Sequence, residues 1–115
     1  EADRVDRALL ALSPVLDGTR LSLTGRLNRP PMERTPASAA LFDRARIAAL
    51  EVLNLPLTEG STGGGSDANF TSALGLPTLD GLGPLGAGAH AIHEHVEIDS
   101  LPLRAALLAT LLLSL

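Results

Sequence analysis

The last helix-forming run of this chain has no polar face. Leu103, Ala105, Ala106, Leu107, Leu108, Ala109, Leu111, Leu112 and Leu113 surround the helix axis on nearly every side. A helix of that kind is buried on several sides, and the few other elements of a 115-residue chain can cover one of them. The remaining cover is expected from polypeptide outside this sequence. Composition points the same way: 45% of residues are hydrophobic but only 2% aromatic, so the apolar mass is leucine and alanine, with little interior to hold it.

A formal net charge of −4 and scattered arginines give no basic stripe, so no RNA or DNA partner is expected. Cysteine is absent, which excludes disulfides, thiolate ligands and a thiol nucleophile; any metal would be held by imidazole and carboxylate. The run from Leu101 to Leu115 carries Pro102, Arg104 and Ser114 and falls short of the roughly 20 residues a bilayer span needs, so no membrane anchor is expected. The sequence opens at Glu1 inside a helical pattern with no charged-then-apolar leader, which reads as a cut end. A cytoplasmic setting is expected unless an upstream signal directs secretion or periplasmic export.

Along the chain, Val5, Ala8, Leu9 and Leu12 recur at helical spacing from Asp3 until Pro14 forbids continuation. After Asp17 and Gly18, Leu21 and Leu23 alternate with Arg20, Ser22 and Thr24, the period of a half-buried strand. Pro30, Pro31 and Pro36 then rule out helix or central strand over an extended connector, and a domain boundary falls there, separating residues 1–27 from 28–115. Ser38 is the expected cap of a helix that buries Leu41, Ala45, Ala48 and Val52 and ends near Asn54. Residues 55–57 and 76–82 read as short buried strands on either side of a glycine loop and a short helix capped by Ser66 or Asp67. The final helix starts from a cap at Asp99 or Ser100. Such alternation predicts an α/β fold with a parallel or mixed sheet.

Two glycine-rich loops carry the chemistry. "GGGSDANF" at 63–70 lets backbone N–H groups converge at the start of a helix, which suits an anion; a flexible turn with a Ser66 or Asp67 cap explains the same residues. "GAGAHAIHEH" at 86–95 offers His90, His93, Glu94 and His95 within six residues, yet flanking glycines and β-branched Val96 and Ile98 favour a loop entering a strand over a helical metal site. Arg29 in the connector carries a fork able to hold a carboxylate, or is a solvated surface charge. No pair of carboxylates suited to acid and base work stands out; Glu94 and Glu97 are the only ones near His90.

The succession "NRPPM", "TGGGSDANF", "GLPTLDGLGPLGAGAH" and "HEHVEIDSLPLRAALLATLL" resembles, over nearly the whole chain, the C-terminal portion of the zinc peptidases of family M20, most closely those of glutamate carboxypeptidase type. The resemblance implies a three-layer α/β catalytic domain, here residues 28–115, preceded by the end of an α+β lid, or dimerisation, domain in residues 1–27. It implies two zinc ions in the complete enzyme with His90 as the one ligand in this chain, Arg29 on the substrate carboxylate, and Gly64, Gly65 and Ser66 facing the substrate. It assigns the other ligands and the general base to an upstream segment, so this chain alone is expected to be inactive.

The expected partners are a small carboxylate-bearing amide or peptide, the missing N-terminal part of the catalytic domain, and a second copy joined through the lid. The complete enzyme would cleave an amide bond next to a free carboxylate. Two other functions stay open at this point: a non-catalytic assembly piece that keeps the fold and binds through its leucine-rich helix, and a small anion-binding module built on residues 63–66. An imidazole at position 90 turned toward bulk water, remote from the glycine-lined cleft, would overturn the enzyme reading drawn from these motifs.

Overall fold

A computed structural model describes residues 1–114. It contains four helices and one minimal sheet: α1 (Ala2–Leu10), α2 (Pro36–Leu53), α3 (Ala68–Ala73), β1 (Gly86–Ala87), β2 (His95–Val96) and α4 (Ser100–Ser114).

The core is the contact of α2 with α4. Ala45 and Ala49 are buried on α2, and Leu107 and Leu111 on α4, so two leucines one turn apart seat on two alanines one turn apart. Burying the Leu107 side chain alone contributes about 1.5–3 kcal/mol. The Arg44 guanidinium donates to the Ser114 carbonyl at 3.1 Å, tying α2 to an orphan acceptor at the end of α4.

The cap of α2 is Thr35 rather than Ser38. Thr35 has extended backbone, its Oγ1 accepts from the Ser38 N–H at 3.1 Å, and Pro36 takes the first helical position, where a missing N–H costs nothing. Ser38 is buried inside the first turn instead, where its Oγ accepts from the Thr78 amide at 3.4 Å. Asn54 closes the helix with φ of 51°, the left-handed conformation that asparagine tolerates. The buried stripe also differs by one position from the expected one: Ala49 is buried, while Val52 is 65% exposed.

The parallel or mixed sheet does not form within the described residues. Residues 20–27, 55–57 and 76–82 run without ladder partners, and the one ladder pairs β1 and β2 antiparallel, Gly86 with Val96 and Ala87 with His95. Extended segments become strands only when a neighbour supplies the opposite row of donors and acceptors. Two of these short apolar runs do meet the core: Leu55, Leu57, Leu79 and Leu82 are partly buried against the α2–α4 contact.

The shape is that of a slab. The radius of gyration is 19.5 Å, with extents of 65 × 36 × 17 Å, whereas a compact 115-residue domain has a radius near 13 Å. The accessible surface is 9097 Å², against about 6,000 Å² for a folded monomer of this mass. Much of the excess is apolar. Leu112 and Leu113 on α4 are 77% and 90% exposed, and the amphipathic α1 packs on no other described element and leaves Val5 and Leu9 uncovered. One stripe of the all-apolar α4 is covered, as its sequence predicts, and the other sides are open. Among the described residues no helix is long and apolar enough to cross a membrane.

Candidate functional site

Arg29, Gly64 and Gly65 meet in one place. The connector and the glycine loop line an open groove of about 1120 Å³, with Arg29, Gly63, Gly64, Gly65 and Asn69 along one wall. A Cβ added to Gly65 would lie 3.5 Å from the Arg29 Cδ, so the arginine stem runs directly along the glycine backbone. The guanidinium is aimed by two contacts from the start of α3: its Nη2 donates to Asp67 Oδ1 at 3.1 Å, and its carbon sits 5.2 Å from the centre of the Phe70 ring.

That aim is reversible. The Asp67 carboxylate is 91% exposed, and an ion pair in that setting contributes at most about 1 kcal/mol. A ligand carboxylate presenting two oxygens to the fork can displace it. Further along the groove Arg34 is paired with Glu59, its Nε donating to both carboxylate oxygens at 3.1 and 3.0 Å, and this hydrogen bonding holds the guanidinium above its ordinary pKa.

Ser66 does not line the groove. Its Oγ accepts from the Ala68 N–H at 3.1 Å, a local turn contact just before Asp67, the N-cap of α3, that competes with a ligand-binding role. The Gly64 amide is also engaged, donating to Thr62 Oγ1 at 3.3 Å. What the loop presents to the groove is therefore close-approach backbone beside Arg29, rather than a ring of free donors. Sequence reasoning passed over Asn69, whose amide bridges the connector and the loop; the visible signal was a polar residue just inside a helix that follows two irregular segments.

His90 stands on a separate structure, the β1–β2 hairpin. The ladder brings the strands so close that a Cβ on Gly86 would lie 2.2 Å from the His95 carbonyl oxygen, a distance only glycine accommodates. Gly88, at φ +73°, lets the His93 ring pack onto its backbone, where an added Cβ would meet Cδ2 at 2.7 Å. His95 Nδ1 lies 3.0 Å from the His93 carbonyl oxygen, and the Ala91 amide donates to Gly88 O at 2.8 Å. Within this turn His90 adopts φ 67°, a conformation that costs a side-chain-bearing residue about 1 kcal/mol or more. The hairpin base is bolted to α4 through buried Ser100, whose Oγ accepts from the Leu85 amide at 2.9 Å and donates to Glu97 O at 2.6 Å.

The three histidines thus have different surroundings. His93 and His95 are occupied in building the loop, while the His90 ring is exposed and has no hydrogen-bond partner among the described residues. One free imidazole fits zinc as a single donor of a tetrahedral set. The described residues hold no group of three or more histidine or carboxylate side chains able to bind a metal ion. No residue from 83 to 103 lines the groove and the His90 ring is exposed, so His90 does not face the glycine-lined cleft; this is the arrangement that counts against the enzyme reading, and the placement of His90 in this chain lends that reading no support. Within this chain the groove wall that carries Arg29 and the hairpin that carries the imidazole are two separate pieces.

Comparison of the sequence gives the family: the chain belongs to peptidase family M20/M25/M40, whose model matches residues 5–114. It is thereby a chain of a hydrolase family with a peptidase-like α/β domain, one whose enzymes are generally metal-dependent. It is similar to the succinyl-diaminopimelate desuccinylase of Thioalkalivibrio sulfidiphilus, with 37% identity over 89 residues, covering 76% of this chain and 23% of that protein. It is 32% identical over 112 residues to the enzyme of the same name from Xanthomonas euvesicatoria pv. vesicatoria, covering 97% of this chain and 29% of the relative. The chain spans about a quarter of the length of these curated relatives. Their name is that of a desuccinylase, and the glutamate carboxypeptidase subtype suggested by the motifs gains no specific support from it. No solved structure matches.

Proposed function

We propose that this chain is the C-terminal portion of a di-zinc amidohydrolase that cleaves an amide bond adjacent to a free carboxylate. Residues 1–27 are the closing helix and edge strand of an α+β lid domain through which two copies pair, and residues 28–115 belong to a three-layer α/β catalytic domain. The observation that carries the reading is the seating of Arg29 against Gly65 in an open groove, in a chain of this family.

In this account Arg29 receives the substrate carboxylate through its fork, giving up Asp67 as it does so. Gly64 and Gly65 let the substrate backbone lie close to the protein. His90 holds one coordination position, and the remaining ligands and the general base come from polypeptide beyond these residues. When bound, a zinc pair supplies an activated water and a polarised carbonyl. The uncovered faces of α1 and α4 and the unpaired extended segments are where that polypeptide packs and completes the sheet. Gly64, Gly65 and Arg29 do the orienting; Ser66 contributes through the start of α3, and the protein works in the cytoplasm.

The relatives' name makes an N-succinyl amino acid the first substrate to try. The full-length protein is expected to hydrolyse N-succinyl-diaminopimelate or a member of a panel of N-acyl amino acids. Activity should vanish with a chelator and return with zinc, and residues 1–115 alone should be inactive. Turnover indifferent to chelation, or turnover by the isolated chain, would contradict the proposal.

A further inference from the structure

The two segments that meet at the groove have no regular structure of their own. Arg29 precedes Pro30 and Pro31, which carry no N–H and cannot donate to a ladder, so the backbone of these two residues can be held only through its carbonyls. The glycine loop at 60–66 is equally irregular. Both are gripped by the same side chain. Asn69 Nδ2 donates to the Pro30 carbonyl at 2.8 Å, and Asn69 Oδ1 accepts from the Ser66 N–H at 2.8 Å.

Asn69 belongs to α3, which is itself anchored. Thr78 Oγ1 donates to Thr71 Oγ1 at 3.1 Å, and the Thr78 amide donates to Ser38 Oγ, buried in α2, at 3.4 Å. A run of hydrogen bonds thus leads from the core helix to α3 and through Asn69 to the residues next to Arg29 and Gly65. Asn69 is half-buried and lines the groove wall. A planar amide with a donor and an acceptor on one carbon is the group such a bridge requires.

We infer that Asn69 is a positioning residue that sets Arg29 and the glycine loop at the mutual distance a substrate carboxylate needs. This rests on the proposed role of Arg29 and deepens it. Asp67 and Phe70 direct the guanidinium, but both act on the tip; Asn69 fixes the backbone from which the side chain springs. Without it the connector is free to drift from the loop, and a small misplacement of a charge-assisted fork weakens carboxylate binding while leaving the reacting centre intact.

The test uses the full-length protein, the N-acyl amino acid it turns over fastest, and the analogue whose carboxylate beside the scissile amide is capped as a carboxamide. Asn69→Ala is expected to raise KM for the carboxylate substrate about tenfold while kcat changes by less than about twofold. KM for the capped analogue should not move. In an Arg29→Ala background the Asn69 substitution should add nothing, since Asn69 acts through Arg29. Asn69→Ser, too short to span both partners, carries the same expectation should the alanine variant fail to fold.

Unchanged KM, equal loss on both substrates, or effects that add to those of Arg29→Ala would overturn the role of Asn69. A wild-type protein that does not distinguish the carboxylate from its capped analogue would instead overturn the reading of Arg29 on which it rests.

Discussion

Replacing His90 with alanine in the full-length protein is expected to lower hydrolysis by about 10³-fold or more and to reduce bound zinc. The physical basis is the contrast among the three histidines of the hairpin. His90 stands on a turn whose backbone is in the left-handed region, and its exposed ring makes no hydrogen bond with the described residues, so it is the one histidine of the three that takes no part in building the hairpin. His93 rests on Gly88, and His95 faces the His93 carbonyl. His93→Ala removes a packing contact from the loop but no donor, so its loss should stay near the tenfold expected of a supporting residue. Metal analysis and initial rates on the two variants separate them; equal losses would mean that the donor has been assigned to the wrong histidine.

The second large effect is expected at Arg29. Arg29→Ala should raise KM for the carboxylate-bearing substrate by about 10²-fold, the size expected when one member of a close, hydrogen-bonded charge pair is truncated. Arg29→Lys keeps the charge but loses the bidentate fork and should recover only part of the loss, with KM about tenfold above wild type. Zinc content should be unaffected in both, because the arginine stands on the groove wall and the imidazole on the hairpin. A fall in kcat with unchanged KM would place Arg29 in the chemistry itself and contradict its role in holding the carboxylate.

Much of this arrangement was legible from residue pattern. Three prolines marked the connector, the helix that ends at Asn54 was read to its last turn, and the glycines of the hairpin announced backbone that must come close to something. What escaped did so for identifiable reasons. The cap of α2 fell to Thr35 because Pro36 suits the first helical position, a pairing that outweighs a serine two residues on. Residues 20–24 have the alternation of a strand and 55–57 and 76–82 are short apolar runs, but pairing is a property of two segments, and no described segment supplies the second. The bridge made by Asn69 joins residues 30 and 66, a distance in sequence that no local pattern reports.

The exposure of α1 and α4 follows from the same logic. An apolar stripe predicts that burial will occur and is silent on the partner. Here α2 covers Leu107 and Leu111, while Leu112 and Leu113 are largely exposed and α1, with Val5 and Leu9 partly exposed, packs on no other described helix or strand. The groove and the hairpin stand apart in this chain for a related reason, since a site shared between segments takes shape only where all of them are present.

The His90 imidazole is expected to meet a metal whose other donors lie beyond these residues. Anomalous diffraction at the zinc edge from crystals of the full-length protein addresses it directly. A zinc peak about 2.0–2.1 Å from a ring nitrogen of His90, with its other ligands from outside residues 1–115, is the predicted result. A peak ligated without His90, with that ring open to bulk solvent, would contradict it.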